Sequence, residues 1–431
     1  MLQLQVIRQD PQGVKNKLAI KNFKEQGLVD AIISLDDQRK KLQLEFDNTQ
    51  ATINSLSKEI GQLMAKGEKT GAEEKKKEVA VLKEKLEPVK NEMNKAETAL
   101  NEKLILLPNL PSEKVPAGKT PADNEMIREG GKKPSLPAGA LPHWDLAIKY
   151  DLIDFELGNK ITGSGFPVYK NKGAKLQRAL IQYFLDYNSK AGYTEYLPPL
   201  MVNEASAYGT GQLPDKEGQM YFVTEDNFYL IPTAEVPVTN IYRDEIIKEA
   251  DLPVKMTAYT PCFRREAGSY GKDVRGLNRV HQFDKVEIVQ IVHPEKSYEV
   301  LEEMVKHVEL LIQSLQLPYR ILKLCGGDMS FASALTYDFE VYSAAQERWL
   351  EVSSVSNFET FQSNRMKIRV KPALPAGRDE KGKPQLVHTL NGSSLALPRI
   401  LACLLENNQN SGNIELPPVM HSYFGSPMLS I

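Results

Sequence analysis

Hydrophobic spacing divides this chain into two regimes. From Gly27 onward Ile32, Leu35, Arg39, Leu42, Phe46, Thr49, Ile53, Leu56, Ile60 and Leu63 recur at intervals of three and four. After the stretch 66–71 the same rhythm returns in Val79, Leu82, Leu86, Val89, Met93, Ala96 and Leu100. Two heptad stripes around a short glycine-containing turn predict an antiparallel helical hairpin, a two-stranded coiled coil over about residues 27–104. Its first helix, Gly27 to about Ala65, would be roughly 58 Å long at the usual rise. Pro88 lies inside the second helix. Lacking an N–H it predicts a local kink, while the unbroken phase of the stripe predicts that the helix continues past it. Residues 1–26 read as one helix and a loop. A hairpin of this length has little core of its own, and such coiled coils serve dimerisation or spacing as readily as binding.

Beyond residue 107 the pattern changes. Pro108, Pro111, Pro116, Pro121, Pro134, Pro137 and Pro142, with several glycines, predict a surface linker over 111–142. From His143 and Trp144 onward, short alternating runs interleave with helical ones. Residues 173–191 place Leu176, Ala179, Leu180, Tyr183, Phe184 and Tyr187 on one helical face, and 294–317 do the same with Leu301, Met304, Val308, Leu311, Ile312 and Leu315. Period-two alternation predicts strands at 256–263, 280–292, 320–324, 336–342 and 348–355. Mixed helices with a run of antiparallel strands give an α+β class. The predicted organisation is a helical arm (1–110), the linker (111–142) and an α+β domain (143–431).

Strands 256–263 and 280–292 pair most simply as a hairpin whose loop holds three glycines and six basic residues between Arg264 and His281. A loop that long in a compact domain usually carries function. Side chains two apart share a strand face, so Arg264 and Glu266 point together, as do Phe283, Lys285 and Glu287, with Phe283 and Glu287 about 13 Å apart. One face offers an aromatic plate, a guanidinium and carboxylates over the length of a small adenylate. An ordinary hairpin with a solvated basic loop has the same pattern. Thr233 and Glu235 would share a face if extended, and a hydroxyl beside a carboxylate suits an ammonium. There is no GxxxxGK[ST] and no strand-linked GxGxxG, so neither a P-loop nor a Rossmann fold holds a nucleotide here.

Charge and cysteine content narrow the picture. The 431 residues carry a net charge of −2, so a nucleic-acid partner would need local basic patches. Residues 1–107 hold 19 Lys and Arg against 17 Asp and Glu; Lys66, Lys69 and Lys75 to Lys77 gather at the hairpin turn, diluted by Glu68, Glu73 and Glu74. Cys262, Cys325 and Cys403 lack paired spacing, which argues against a disulfide framework and against zinc. No apolar run approaches the roughly 18 residues of a membrane span, and no signal-peptide pattern opens the chain. A cytoplasmic protein without a membrane partner is expected.

Phe263-Arg264-Arg265-Glu266, the glycine-rich loop and Arg279-Val280-His281-Gln282-Phe283 resemble motif 2 of class II aminoacyl-tRNA synthetases, in the wording of the seryl-tRNA synthetases of bacterial type. Gly192-Tyr-Thr-Glu-Tyr-Leu-Pro-Pro199 resembles motif 1, and Thr389-Leu-Asn-Gly-Ser-Ser-Leu-Ala-Leu-Pro-Arg399 resembles motif 3. Thr233-Ala-Glu235 and Gly209-Thr-Gly-Gln-Leu-Pro214 fall between them. One such motif is weak; three in order are specific, and the resemblance covers essentially the whole chain. It implies ATP-dependent attachment of L-serine to tRNA(Ser) through a seryl-adenylate, with serylation of tRNA(Sec) where that tRNA exists. It implies a homodimer built on 173–191 and motif 1, and a catalytic domain at 143–431 on an antiparallel sheet flanked by helices. The arm would reach the long variable arm of the tRNA through phosphates and shape.

The resemblance also implies roles. Arg264 would contact the α-phosphate and the serine carboxylate, Glu266 the adenine amino group, and Phe283 the adenine face. Arg399 would clamp adenine and γ-phosphate from the other side, making Arg264 and Arg399 the catalytic pair. Arg265, Val280 and Glu351-Val352-Ser353-Ser354 complete the ATP set, with Glu351 and Ser354 as ligands of an ATP-bound Mg²⁺. In a regular strand residues three apart face opposite ways, so that ligand pair requires a bulge or strand end at Ser353-Ser354. Thr233, Ala234 and Glu235 would take the serine amino group; Glu287 and Ser393, with Asn391 nearby, its hydroxyl. Ser393 reads equally well as a turn or capping serine. Residues 209–214 resemble a loop that orders over substrates. An amino-acid:carrier-protein ligase on the same core is the rival, disfavoured by the full-length arm. A non-catalytic paralogue would have lost some of Arg264, Glu266, Phe283, Glu287 and Arg399, and all are present.

Overall fold

The computed structural model describes residues 1–215, 218–266, 275–372 and 382–431. They form two units: Leu2–Ala19 with Phe23–Pro108, and Asn109–Ile431 with Met1 and Ile20–Asn22.

In the helical unit α1 (Leu4–Gln9) and α2 (Pro11–Ile20) precede the long pair α3 (Gly27–Ala65) and α4 (Lys69–Leu104). The first 26 residues thus hold two helices where one was expected. Pro11 causes the break, since it cannot donate to a continuing α1 while its fixed φ suits the first position of α2. The long pair meets the bounds that the heptads predict. The chain reverses at Gly67, whose φ of +81° suits glycine, and α4 continues through Pro88. The seam is thin: Ile53, Leu56 and Val79 are buried, with Ile60, Leu82 and Leu86 half-buried beside them. Arg39 keeps the period without being apolar because it serves Asp36. That carboxylate is 1% exposed and meets Arg8 at 2.9 Å, Arg39 at 2.8 Å and Lys40 at 3.0 Å. Burial alone would raise its pKa, but Arg39 and Lys40 hold it below the usual carboxylate range.

The second unit is built on an eight-stranded sheet: β1 (Glu125–Gly130), β2 (Thr194–Tyr196), β3 (Val254–Phe263), β4 (Gln282–Val292), β5 (Tyr319–Lys323), β6 (Leu335–Ser343), β7 (Arg348–Asn357) and β8 (His388–Ala396), in spatial order β1-β5-β6-β7-β8-β4-β3-β2. Every pairing is antiparallel except β2 with β3. Strand β1 falls in the proline-rich stretch read as linker. Its side chains are mostly exposed, so it carries no alternating hydrophobic signal and is held by backbone pairing to β5.

Alternation along β4 decides what lies on each side. Val286, Ile288 and Val292 enter the main core, and Phe283, Lys285 and Glu287 face the other way. Helices α5 (His143–Lys149), α6 (Asn171–Lys190), α9 (Ser297–Ser314) and α11 (Leu397–Asn407) supply the core side. From α11 alone Ile400, Leu401, Leu404 and Leu405 have no exposure, each contributing roughly 1.5–3 kcal/mol by burial. Helix α6 ends where Gly192, at φ +87°, donates back to Ser189. The shorter helices α7 (Glu204–Thr210), α8 (Glu235–Asn240) and α10 (Phe361–Met366) complete the unit. Met366 of α10 joins Val289 and Ile291 of β4 in a smaller core.

Candidate active site

A cavity of about 660 Å³ opens over β4, β7 and β8, bounded by Thr210 to Gln212, Pro214, Asp215, Gln219 and Met220 and by Leu277 to Val280. Most of the residues singled out from sequence line it: Thr233, Glu235, Arg264, Glu266, Val280, Phe283, Glu287, the run Glu351 to Ser354, Asn391, Ser393 and Arg399. Ala234 and Arg265 do not. Ala234 is buried in the smaller core, and the Arg265 guanidinium lies 5.9 Å from the Tyr221 ring centroid. The middle of the glycine-rich loop, 267–274, lies outside the described residues.

One end of the cavity is a buried acidic group around a lysine. Register sets Glu287 opposite Ser393, so Ser393 is a mid-strand residue and neither turn nor cap. Lys285 Nζ lies 2.5 Å from Glu287 and donates to Thr233 Oγ1 at 3.0 Å, while Thr233 Oγ1 donates to Glu287 at 3.1 Å. The extended reading of 233–235 is corrected here. Glu235 is the first residue of α8, and Thr233 Oγ1 accepts its N–H at 3.2 Å, so a local turn bond just ahead of the helix rather than a shared strand face sets the pair. Glu235 accepts from Gln362 at 2.6 Å, and Gln362 in turn accepts from Thr389 at 2.7 Å. Burial first, then the neighbouring Glu287, pushes the Glu235 carboxyl up to about 7. Burial also raises Glu287, with Lys285 opposing. At this end Lys285 and Gln362 are residues that the sequence reading left out of the site. Lys285 had its signal in the 283/285/287 alternation; Gln362 had none.

The other end is aromatic and basic. Arg264 lies over the Phe283 ring, 5.2 Å from its centroid. Strand β3 stops at Phe263, so strand geometry does not align Arg264 with Glu266. Instead the Arg264 N–H donates to the His281 carbonyl at 2.8 Å. Glu266 turns at φ +49° and accepts from Arg279. Arg399 is fixed from behind: Nε donates to the Asn278 carbonyl at 3.0 Å and Nη1 to the Glu351 carbonyl at 2.7 Å.

The bulge that the Glu351–Ser354 pair requires is present one residue earlier than expected. Phe339 pairs with Ser353 and Glu340 with Glu351, leaving Val352 as the extra residue. Because Asp338 opposes Ser354 and Glu340 opposes Glu351, the slip brings Glu351 and Ser354 to one face. Asp338 Oδ1 is enclosed there without a hydrogen-bond partner, and burial, then Glu351, raises its carboxyl well above the usual range. These are hard oxygen donors of the kind a magnesium ion accepts.

The chain matches two family descriptions: the seryl-tRNA synthetase N-terminal domain over residues 1–111 and the tRNA synthetase class II core domain (G, H, P, S and T) over 221–408. It is 50% identical to the serine–tRNA ligase of Salinibacter ruber, over 99% of this chain and 98% of that one. It is 45% identical to the serine–tRNA ligase of Methylacidiphilum infernorum, over 98% and 99%. Among solved structures, seryl-tRNA synthetase from Pyrococcus horikoshii complexed with ATP superposes at a TM-score of 0.91 with 32% identity, covering 100% of this chain and 99% of that one.

Proposed function

Because the chain belongs to the class II seryl-tRNA synthetases and attaches serine to tRNA, we propose that its cavity first makes seryl-adenylate from L-serine and ATP. A serine carboxylate oxygen attacks the α-phosphorus and the bond to pyrophosphate breaks. A ribose hydroxyl at the tRNA 3′ end then attacks the acyl carbon and AMP leaves.

The observation that carries this reading is the division of one cavity into a carboxylate end and a guanidinium–aromatic end. Glu235 and Thr233 receive the serine ammonium, with Ala234 supplying backbone. Glu287, Ser393 and Asn391 surround the hydroxyl, so alanine would leave their buried polar groups unpaired, a penalty worth roughly 10⁴ in favourable cases. Arg264 swings from Phe283 to bridge the serine carboxylate and α-phosphate, because planar guanidinium fits two phosphoryl oxygens. Phe283 is then free to stack on adenine, and Glu266 accepts from the adenine amino group. Arg399 reaches adenine and γ-phosphate. Arg265, Val280, Val352 and Ser353 complete the ATP seat. Glu351 and Ser354 hold Mg²⁺ carried with ATP, which neutralises triphosphate charge. Positioning supplies much of the rate.

The tRNA partner is tRNA(Ser), bound through the helical arm, with tRNA(Sec) as a second substrate where it exists. The match of residues 1–111 to the seryl N-terminal domain favours tRNA over a carrier protein. A homodimer through motif 1 is part of the proposal: β2 is the sheet's edge strand and Leu197 beside it is 86% exposed. Among the described residues no helix is long and apolar enough to cross a membrane; we place the enzyme in the cytoplasm. Serine-dependent ATP–pyrophosphate exchange, followed by charging of purified tRNA(Ser), tests the whole reading. Exchange driven equally by alanine, or serine exchange without charging, contradicts it.

A further inference from the structure

Behind Arg399 runs a buried polar chain that the reaction as described does not use. Its centre is His143, the first residue of α5, fully enclosed against Glu406, which sits two turns beyond Arg399 on α11. Glu406 Oε1 accepts the His143 backbone N–H at 2.9 Å and lies 2.7 Å from Nδ1. On the far side the Leu277 N–H lies 2.8 Å from Nε2. A backbone N–H only donates, so Nε2 is the acceptor and Nδ1 carries the proton toward the carboxylate. Burial would raise the Glu406 carboxyl, but the hydrogen bonds from His143 overcome it and hold the group below its usual range.

The chain then turns toward the cavity. Gln346 donates to Glu406 at 2.9 Å and accepts from Asn278 Nδ2 at 2.8 Å. The Asn278 carbonyl is one of the two acceptors that hold Arg399, at 3.0 Å from Nε. Leu277, Asn278 and Arg399 all line the cavity. Gly276 shows how tightly the segment is seated: its φ is +61°, and a Cβ there would stand 2.2 Å from His143 Nε2. Arg399 has a long side chain with many rotamers; two fixed carbonyls select one and leave its other N–H groups for a ligand.

We propose that His143 is a positioning residue for the ATP end of the cavity: held by Glu406, it fixes Leu277 and Asn278, and the Asn278 carbonyl in turn fixes Arg399. This rests on the reading of Arg399 as an ATP contact. It predicts an effect on nucleotide binding from a side chain that touches no substrate.

Two substitutions separate the two nitrogens. His143→Asn keeps a donor near the Nδ1 position and removes the Nε2 acceptor, whereas His143→Gln brings an amide oxygen near the Nε2 position. In serine-dependent ATP–pyrophosphate exchange by the full chain, His143→Asn should raise the KM for ATP about tenfold, the scale of a small misplacement, and leave the KM for serine unchanged. His143→Gln should recover most of that loss. Gly276→Ala disturbs the same seat from the loop and should reproduce the ATP effect, which keeps the test decisive if His143→Asn fails to fold by thermal melting. An unchanged ATP KM in folded His143→Asn, or in Gly276→Ala, overturns the proposal. Equal losses of kcat in both His143 variants, with Gly276→Ala normal, also overturn it and leave a structural role. Arg399→Ala separates the two levels. If it raises the ATP KM while His143→Asn and Gly276→Ala do not, the relay alone is wrong; if Arg399→Ala changes nothing, the assignment of Arg399 and the relay fall together.

Discussion

The helical unit and the catalytic unit use charge in opposite ways. Along α3 and α4 most charged side chains stand in water, the buried Asp36 apart, and pairs such as Lys95 with Glu92 and Lys76 with Glu73 are more than two-fifths exposed on both partners. Such pairs are screened and hold little together; in the proposed function they present charge to tRNA. In the catalytic unit Lys285 and Glu287 are 7% and 1% exposed, Glu235 lies beside them, and Thr233 and Gln362 hold the group by hydrogen bonds. Desolvated charge of this kind is costly unless paired. A thin seam suffices for a unit proposed to bind by surface charge. A unit that does chemistry needs a two-sided sheet, with a core on one face, before it can enclose a cavity on the other.

Perturbations should therefore part company between the units, and the exchange reaction ranks them. Arg264→Ala should cut the exchange rate by about 10³-fold, the scale of losing a preorganised donor to developing charge, while leaving the melting temperature unchanged. A loss of less than tenfold would show that Arg264 does not stabilise the transition state. Lys285→Met should leave Glu287 and Glu235 facing one another, lowering the stability of the catalytic unit by about 3–5 kcal/mol and raising the serine KM. Denaturant unfolding checks this, and an unchanged midpoint would mean that the lysine is dispensable.

Acidity gives the next, smaller effect. The ligand-free Glu235 carboxyl is pushed up to about 7 by burial and by Glu287. A raised acid favours the protonated folded state, so its stabilising contribution is present below the ordinary carboxylate range and lost as pH rises through 7. Serine binding runs the other way, because the ammonium needs the carboxylate. Serine affinity should therefore rise with pH, by up to about tenfold per unit below pH 7, and level off above. Glu235→Gln should flatten the profile; a wild-type profile that falls over this range contradicts the role of Glu235. Smallest for exchange is Ile53→Ala. It should lower the stability of the helical pair by about 2–4 kcal/mol, seen as an earlier loss of helical signal, and leave exchange unaltered. A matching loss of exchange would mean that the two units are not independent.

The same contrast explains what could be read from sequence. Long helices repeat one local rule, so the heptads placed α3 and α4 nearly to the residue. The hairpin of β3 and β4 was legible for the same reason, from alternation. What escaped was long-range or locally broken. The pairing of Glu287 with Ser393 and the meeting of His143 with Leu277 join positions more than a hundred residues apart, and no spacing rule reaches them. Strand β1 was hidden because its side chains face water. Thr233 and Glu235 are brought together by a turn at the start of α8 where an extended chain had been assumed. A bulge or strand end was expected at Ser353-Ser354 only because the resemblance made Glu351 and Ser354 ligands of one ion, and the slip lies one residue earlier, at Val352.

We propose that adenylate chemistry belongs to the catalytic unit and tRNA recognition to the helical pair. The most direct test removes residues 30–100, closes the gap with a short Gly/Ser linker, and measures both half-reactions. Serine-dependent ATP–pyrophosphate exchange should persist at close to its full rate. Charging of tRNA(Ser) should fall by orders of magnitude through lost tRNA affinity, and the tRNA binding that the full chain shows should weaken steeply with salt, as phosphate contacts do. Normal charging by the truncated protein would make the helical pair a spacer, and loss of exchange would tie the cavity to the arm; either result contradicts the division of labour.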